Sequence, residues 1–209
     1  MNIPDKSFFH EKDVLKISKK LLGMSIYTRI DGAITGGIIT ETEGYAGGSD
    51  KACHAYGYKL TKRTQTMFKE GGIAYIYLCY GIHHLLNIVT NTEGEPDAVL
   101  IRSFEPHTGI DTMMQRRKMT QLKRNISAGP GNVSSALGLT RKYDGEPVTG
   151  PVIWLENDEK SMTPRKNDIA ESARIGVDYA EEYAKKPWRF YLINNDYVSK
   201  QTNITKNQT

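Results

Sequence analysis

The sequence predicts a single domain of mixed α/β (α+β) architecture, on three observations. Apolar, β-branched runs of strand length recur along the chain, and two of them meet at Asp31-Gly32, the strongest short hairpin signal present. Near the start, Val14, Leu15, Ile17, Leu21 and Leu22 instead repeat at helical spacing. A chain of 209 residues is long enough for one substantial core, and nothing in it forces a second.

In chain order, a short arm leads to Glu11 or Asp13, either of which is placed to cap a helix that runs to Leu22 and stops at Gly23. Residues 24–30 and 33–40 are the hairpin strands, and the second delivers Glu43 to a sheet end. Residues 44–62 have few periodic apolar positions and contain Gly47-Gly48, which predicts a long surface loop. Strands are expected over 73–79, 85–90 and 98–103, with a turn at 91–96. A helix over 108–119 follows, then a break at 128–132 and a helical stretch over 133–137 closed by Gly138. The rest reads as a turn at 145–150, a strand at 152–155, an irregular segment at 170–176 and a last strand at 188–193. From Asn194 the Asn, Lys, Thr and Gln content predicts a loosely ordered tail, so the domain is taken as 1–195 with a polar tail over 196–209.

Composition narrows the function classes. The net charge is +4, with basic clusters in 59–63, 116–123 and 185–189 that suit a polyanion or a solvated face. No apolar run approaches the roughly 20 residues that span a bilayer. The first twenty residues are studded with Asp, Lys and Glu instead of forming a signal-peptide core. With only Cys53 and Cys79, the chain reads as cytoplasmic and reduced.

The chemistry-bearing residues concentrate between Thr40 and Arg102. Glu41, Glu43 and Tyr45 sit at period two and share one strand face, as do Tyr75 and Tyr77. The tyrosines alone leave two readings open, a half-buried sheet or a platform for flat ligands. Zinc-site spacings are absent, since the cysteines are isolated and His83-His84 point to opposite strand faces. The zinc deaminase signature and Gly-x-Ser-x-Gly are missing too, and Gly129-Pro-Gly131 is a weak signal for a helix N-terminus turned toward an anion, more often only a turn, with no Walker-type Lys-Ser or Lys-Thr pair after it. A carboxylate, aromatic rings and basic residues remain. One acid suffices to activate water when the leaving group departs readily, as a cationic alkylated purine does from its N-glycosidic bond. A site of this kind fits excision of a DNA base better than carbohydrate hydrolysis.

Read together, Thr40-Glu-Thr-Glu-Gly-Tyr45, Asp50-Lys-Ala-Cys-His54, Thr61-Lys-Arg63, Met67-Phe68, Tyr75-Ile-Tyr-Leu-Cys-Tyr-Gly81, Asn87-Ile88, Val99-Leu-Ile-Arg102, Glu105-Pro106, Gly129-Pro-Gly131, Ala173-Arg-Ile-Gly176 and Lys186-Pro-Trp-Arg-Phe-Tyr191 resemble the alkyladenine (3-methyladenine, methylpurine) DNA glycosylase family. The resemblance runs in order from about Phe9 to Tyr191. It implies a compact α/β domain with a curved antiparallel sheet and a protruding hairpin, free of metal or cofactor. It further implies that Glu43 is the general base, with Arg102 and the Ile175 carbonyl holding its water, and that Tyr45, His54 and Tyr77 wall a pocket floored by Asn87. Tyr80 would be the wedge entering the duplex, and Lys62 and Arg63 would contact the DNA backbone. The implied partner is double-stranded DNA containing modified purines, placing the chain, read as a monomer, with the nucleoid. Glu41 receives no role and is taken as a solvated strand charge. Two other classes stand beside this reading: a damaged-DNA binding module without catalysis, and a hydrolase or formyltransferase acting on a small nucleoside.

Overall fold

The structure, a computed structural model, describes residues 2–199. Its centre is an eight-stranded, antiparallel, curled sheet. Strand β1 (Ser25–Ile30) turns at Asp31 and Gly32, both with positive φ, into β2 (Ala33–Tyr45). The turn is the Asp-Gly hairpin expected, because two left-handed residues match the twist of the flanking strands. Strands β3 (Ala74–Cys79), β4 (His83–Thr90) and β5 (Asp97–Thr108) follow, then β6 (Ile153–Glu156), β7 (Ile169–Ser172) and β8 (Arg189–Leu192). The main order is β3-β4-β5-β2-β1-β6, with β8 bridging β2 and β7. Thirteen residues let β2 pair with β5 along most of its length, with β1 through its first half and with β8 at Glu41 to Glu43.

Period two divides the sheet faces. Ile39, Ile76, Leu86, Ile88, Val99 and Ile101 point to the main core, against which α2 (Val14–Leu21) and α4 (Pro130–Leu137) pack. Asp13 caps α2, its carboxylate accepting from the Leu15 and Lys16 amides. The opposite face carries Tyr75, Val89 and Ala98 and is covered by Cys53, Ala55 and Met67 from the long loop after β2.

Several expectations are corrected. The arm contains a short helix, α1 (Lys6–Phe9), and α3 (Ile110–Arg116) is shorter than expected at both ends, because Gly109 in the left-handed region starts it late and Lys118, with φ of 51°, leaves the helical region before Met119. Both β2 and β5 run past their predicted ends because they pair with each other. The segment expected to be irregular over 170–176 opens as β7, held by β8. The loop over 44–62 is only partly a surface loop, since Asp50, Ala52, Cys53 and Ala55 are buried beneath it. The tail also departs from expectation where it is described. Val198 is buried, Asn195 donates to Glu105, and the Ser199 amide donates to Glu41. Residues 200–209 of the predicted tail lie outside the described residues. Among those described, no helix is long and apolar enough to cross a membrane.

Candidate active site

On the sheet face turned away from the helices, one cross-strand row reads Glu43 (β2), Leu100 (β5), Asn87 (β4) and Tyr75 (β3), each residue paired with the next. Side chains directly opposite in such a row lie within contact range. Tyr45 and Tyr77 extend the face by two residues along their strands. A cavity of about 480 Å³ opens above it, lined among others by Tyr45, His54, Tyr77, Asn87, Arg102 and Ile175. The four residues expected to wall and floor a pocket therefore meet in one place, together with Arg102 and Ile175. A volume of this size suits one small ligand.

Glu43 is fully buried behind that lining. Its Oε1 accepts from the Ile175 amide at 2.8 Å, and its Oε2 accepts from the Tyr45 hydroxyl at 2.8 Å and faces Arg102 Nη1 at 3.4 Å. The Ile175 backbone thus contacts Glu43 through its N–H, where the carbonyl was expected to serve a water. The aromatic wall is equally built. Tyr75 and Tyr77 stack with centroids 5.5 Å apart, and His54 meets Tyr77 edge-on at 4.6 Å. His54 Nδ1 lies 3.0 Å from the Tyr75 hydroxyl and Nε2 lies 2.9 Å from Arg63 Nη2. Burial first, then the Arg63 charge, lowers the His54 ring to about 4, so it is neutral at physiological pH. Burial likewise pushes the Tyr75 hydroxyl up to about 12, keeping it protonated. The Cys53 thiol is raised by burial to about 12, which makes it inert packing and no nucleophile.

Asn87 is buried, and its Nδ2 donates to the Tyr75 carbonyl at 3.2 Å and the Leu85 carbonyl at 3.5 Å. The amide is pinned to the floor in one rotation. Tyr80 is 89% exposed at the β3–β4 hairpin tip, where it and Gly81 have φ of 50° and 71°. The strands pair last at Cys79 and His83, so Tyr80, Gly81 and Ile82 form a three-residue loop, closed by the Ile82 amide donating to the Cys79 carbonyl at 3.1 Å, and Tyr80 stands out beside the cavity mouth. Lys62 is exposed on the loop, as a backbone contact would need. Arg63 differs from its neighbour, because its guanidinium lies 5.0 Å over the Tyr77 ring and lines the cavity.

Four features escaped the sequence reading. Glu41, expected to be solvated, is fully buried and joined to Arg102 and Arg189 by ion pairs of 2.8 and 2.7 Å. Leaving such a carboxylate unpaired would cost roughly 3–5 kcal/mol, so the pairing is obligatory. Arg102 owes its position to a β-bulge. Thr42 pairs with Ile101 and Glu41 with Ser103, leaving Arg102 as the extra residue, and a bulge re-aims a side chain in this way. Arg174 is buried against Asp50 and stacks between Tyr45 at 4.6 Å and Trp188 at 4.9 Å, backing the pocket wall. Tyr179, exposed at the cavity mouth, donates its hydroxyl to the Ala52 carbonyl. Asp50 and Arg174 stood inside the recognised motifs, but nothing in their spacing showed that they pair.

The arrangement places one buried carboxylate beside a flat-walled cavity, with a guanidinium between them and an aromatic side chain projecting at the mouth. Comparison with known proteins agrees with that chemistry. A family model described as methylpurine-DNA glycosylase matches residues 7–196. A Chlamydia felis protein provisionally named a 3-methyladenine DNA glycosylase is 48% identical over 188 residues, covering 90% of this chain and 94% of its own length. Proteins of the same provisional name from Bacillus cytotoxicus and Clostridium tetani are 40% and 39% identical, each match covering 92% of this chain and 97% of the relative.

Proposed function

The chain belongs to the methylpurine-DNA glycosylase family, and from that premise we propose that it flips 3-methyladenine out of duplex DNA into the 480 Å³ cavity and hydrolyses its N-glycosidic bond. The observation that carries this reading is Glu43, buried immediately behind the aromatic pocket with Arg102 at its side. The extruded base stacks against Tyr45, His54 and Tyr77, while Tyr80 fills the gap it leaves in the duplex. Glu43 accepts a proton from water as the oxygen attacks C1′. The C1′–N9 electron pair departs with the purine, which was cationic through alkylation and leaves neutral. The products are the free base and an abasic site, the starting point of base excision repair. No lysine serves as nucleophile, so the strand remains intact.

The proposal extends to 7-methylguanine and to deaminated and etheno purines, because stacking on rings accepts any flat base. Asn87 then supplies selection. Its pinned amide crowds the exocyclic amine that guanine and 7-methylguanine share and that hypoxanthine and adenine-derived bases lack at the same edge; the cationic 7-methylguanine departs readily enough to offset that penalty, and neutral guanine does not.

Incubating the protein with duplex DNA carrying a single 3-methyladenine, and in parallel with the free methylated nucleoside, tests the reading. Release of base from the duplex with an alkali-labile but uncut strand is expected. Tight binding without release would make the chain a damage-binding module, and turnover of the nucleoside alone would make it a small-molecule hydrolase.

A further inference from the structure

Glu41 lies two residues before Glu43 on β2, stands outside the lining of the 480 Å³ cavity and is wholly buried. Its Oε1 accepts from Arg102 Nε at 2.8 Å, Arg189 Nε at 2.7 Å and Ser199 Oγ at 2.8 Å. Its Oε2 accepts from the Ser199 amide at 2.7 Å and Ser103 Oγ at 3.3 Å. A guanidinium is a rigid planar fork, so an anchor on Nε fixes where the Nη atoms point. Arg102 is anchored at Nε by Glu41 and presents Nη1 to Glu43.

We infer that Glu41 is a positioning residue, which locks the Arg102 guanidinium in the rotation that serves Glu43, and that Ser199 closes this lock from the chain's C-terminal side. The inference rests on the glycosylase reading for its effect on rate, though the lock itself is a matter of geometry. A merely charge-balancing role would be met by Arg189 alone, and it would not require Arg102, the one of the two cationic partners that also lines the cavity. Burial by itself would raise the Glu41 carboxyl, but the Arg102 and Arg189 charges outweigh it and hold the group below the ordinary carboxylate range. The anchor is therefore a carboxylate throughout the neutral range. The bulge at Arg102 is then explained as well, since regular pairing would not set its Nε opposite Glu41 and its Nη1 opposite Glu43 at once.

The test compares wild type, Glu41→Gln, Glu41→Asp and Ser199→Ala by three measurements. They are the single-turnover rate of base release, the affinity for duplex bearing the lesion, and the 15N resonance of the Arg102 Nε–H in the free protein. Glu41→Gln is expected to slow release by about 10- to 100-fold, the usual cost of removing an outer partner that orients a site group, with affinity within about twofold. Its Arg102 Nε–H signal, sharp in wild type, is expected to be lost to exchange. Glu41→Asp, which keeps the charge, should recover part of both rate and signal. Should Glu41→Gln fail to fold, Ser199→Ala removes only the hydroxyl that donates to Glu41 and accepts from Arg102 Nη2 at 3.4 Å, and should broaden the same signal and slow release several-fold with affinity intact. An unchanged Arg102 signal and an unchanged rate in a folded variant would overturn the inference, as would rate and affinity falling together. Absence of base release by wild type would instead remove the glycosylase reading, and the Arg102 signal would still decide the lock.

Discussion

At His54 the hydrogen bonds settle a tautomer. Arg63 can only donate, so Nε2 accepts from it and the proton resides on Nδ1, which donates to the Tyr75 hydroxyl. The His54 ring itself therefore sets no charge against a cationic purine. Titration by NMR is expected to leave the ring neutral down to about pH 5, with a midpoint near the value of about 4 set by burial and Arg63. Arg63→Ala should move that midpoint upward, because the neighbouring cation disfavours the protonated ring, while burial keeps it below the ordinary histidine value. A wild-type midpoint in the ordinary range would contradict the contact. Asn87 gives the second residue-scale prediction. Asn87→Ser should raise release of normal guanine relative to hypoxanthine without abolishing activity, since a buried amine unable to find room or a partner costs on the order of 1 to 3 kcal/mol. Proportional loss of both rates would assign Asn87 to folding alone, through its bonds to the Tyr75 and Leu85 carbonyls.

At the scale of the element, the β3–β4 hairpin and the β2–β5 pair do different work. The hairpin holds Tyr80 in a left-handed turn with Gly81, so its ring is displayed to solvent. Tyr80→Ala is expected to weaken excision more from a paired lesion than from one in an unstacked mismatch. A wedge at Tyr80 would offset an unstacking cost of a few kcal/mol only where stacking exists to be broken. Equal losses on both substrates would return Tyr80 to a structural role. Local pattern made much of this legible: period two put Glu43 with Tyr45 and Tyr75 with Tyr77, and Asp31-Gly32 fixed the first hairpin. The bulge at Arg102 was not legible, because it is a property of two strands in register and neither strand announces it alone. Glu41 was misread for the same reason. An acid in a strand looks solvated until the distant Arg189 and Ser199 are known to reach it. Residues 194–199 show the limit of composition, since a polar segment is ordered when its few groups meet buried partners.

Over the whole molecule, the helices occupy one face of the sheet and the site the other. Four strands each give the site a side chain, and two loops close it, one bringing His54 and Arg63 and the other Ile175 and Arg174. A face braced by the main core on its far side gives a rigid floor, and the roof is left to loops. Family membership and a mixed α/β fold with a curled antiparallel sheet were both legible in the motif set taken in order. The partition of duties behind the pocket was not, because buried polar networks are assembled from residues far apart in the chain. Of all the claims made for this arrangement, the one on which the rest depend is that Glu43 activates the water. Glu43→Gln keeps the side chain's shape and an oxygen for the Ile175 amide, but an amide cannot take the proton. Single-turnover excision of 3-methyladenine from duplex DNA, measured beside the affinity for the same duplex, tests this directly. The account predicts a rate at least about 100-fold lower with binding retained, and a Glu43→Gln protein that released base at close to the wild-type rate would contradict it.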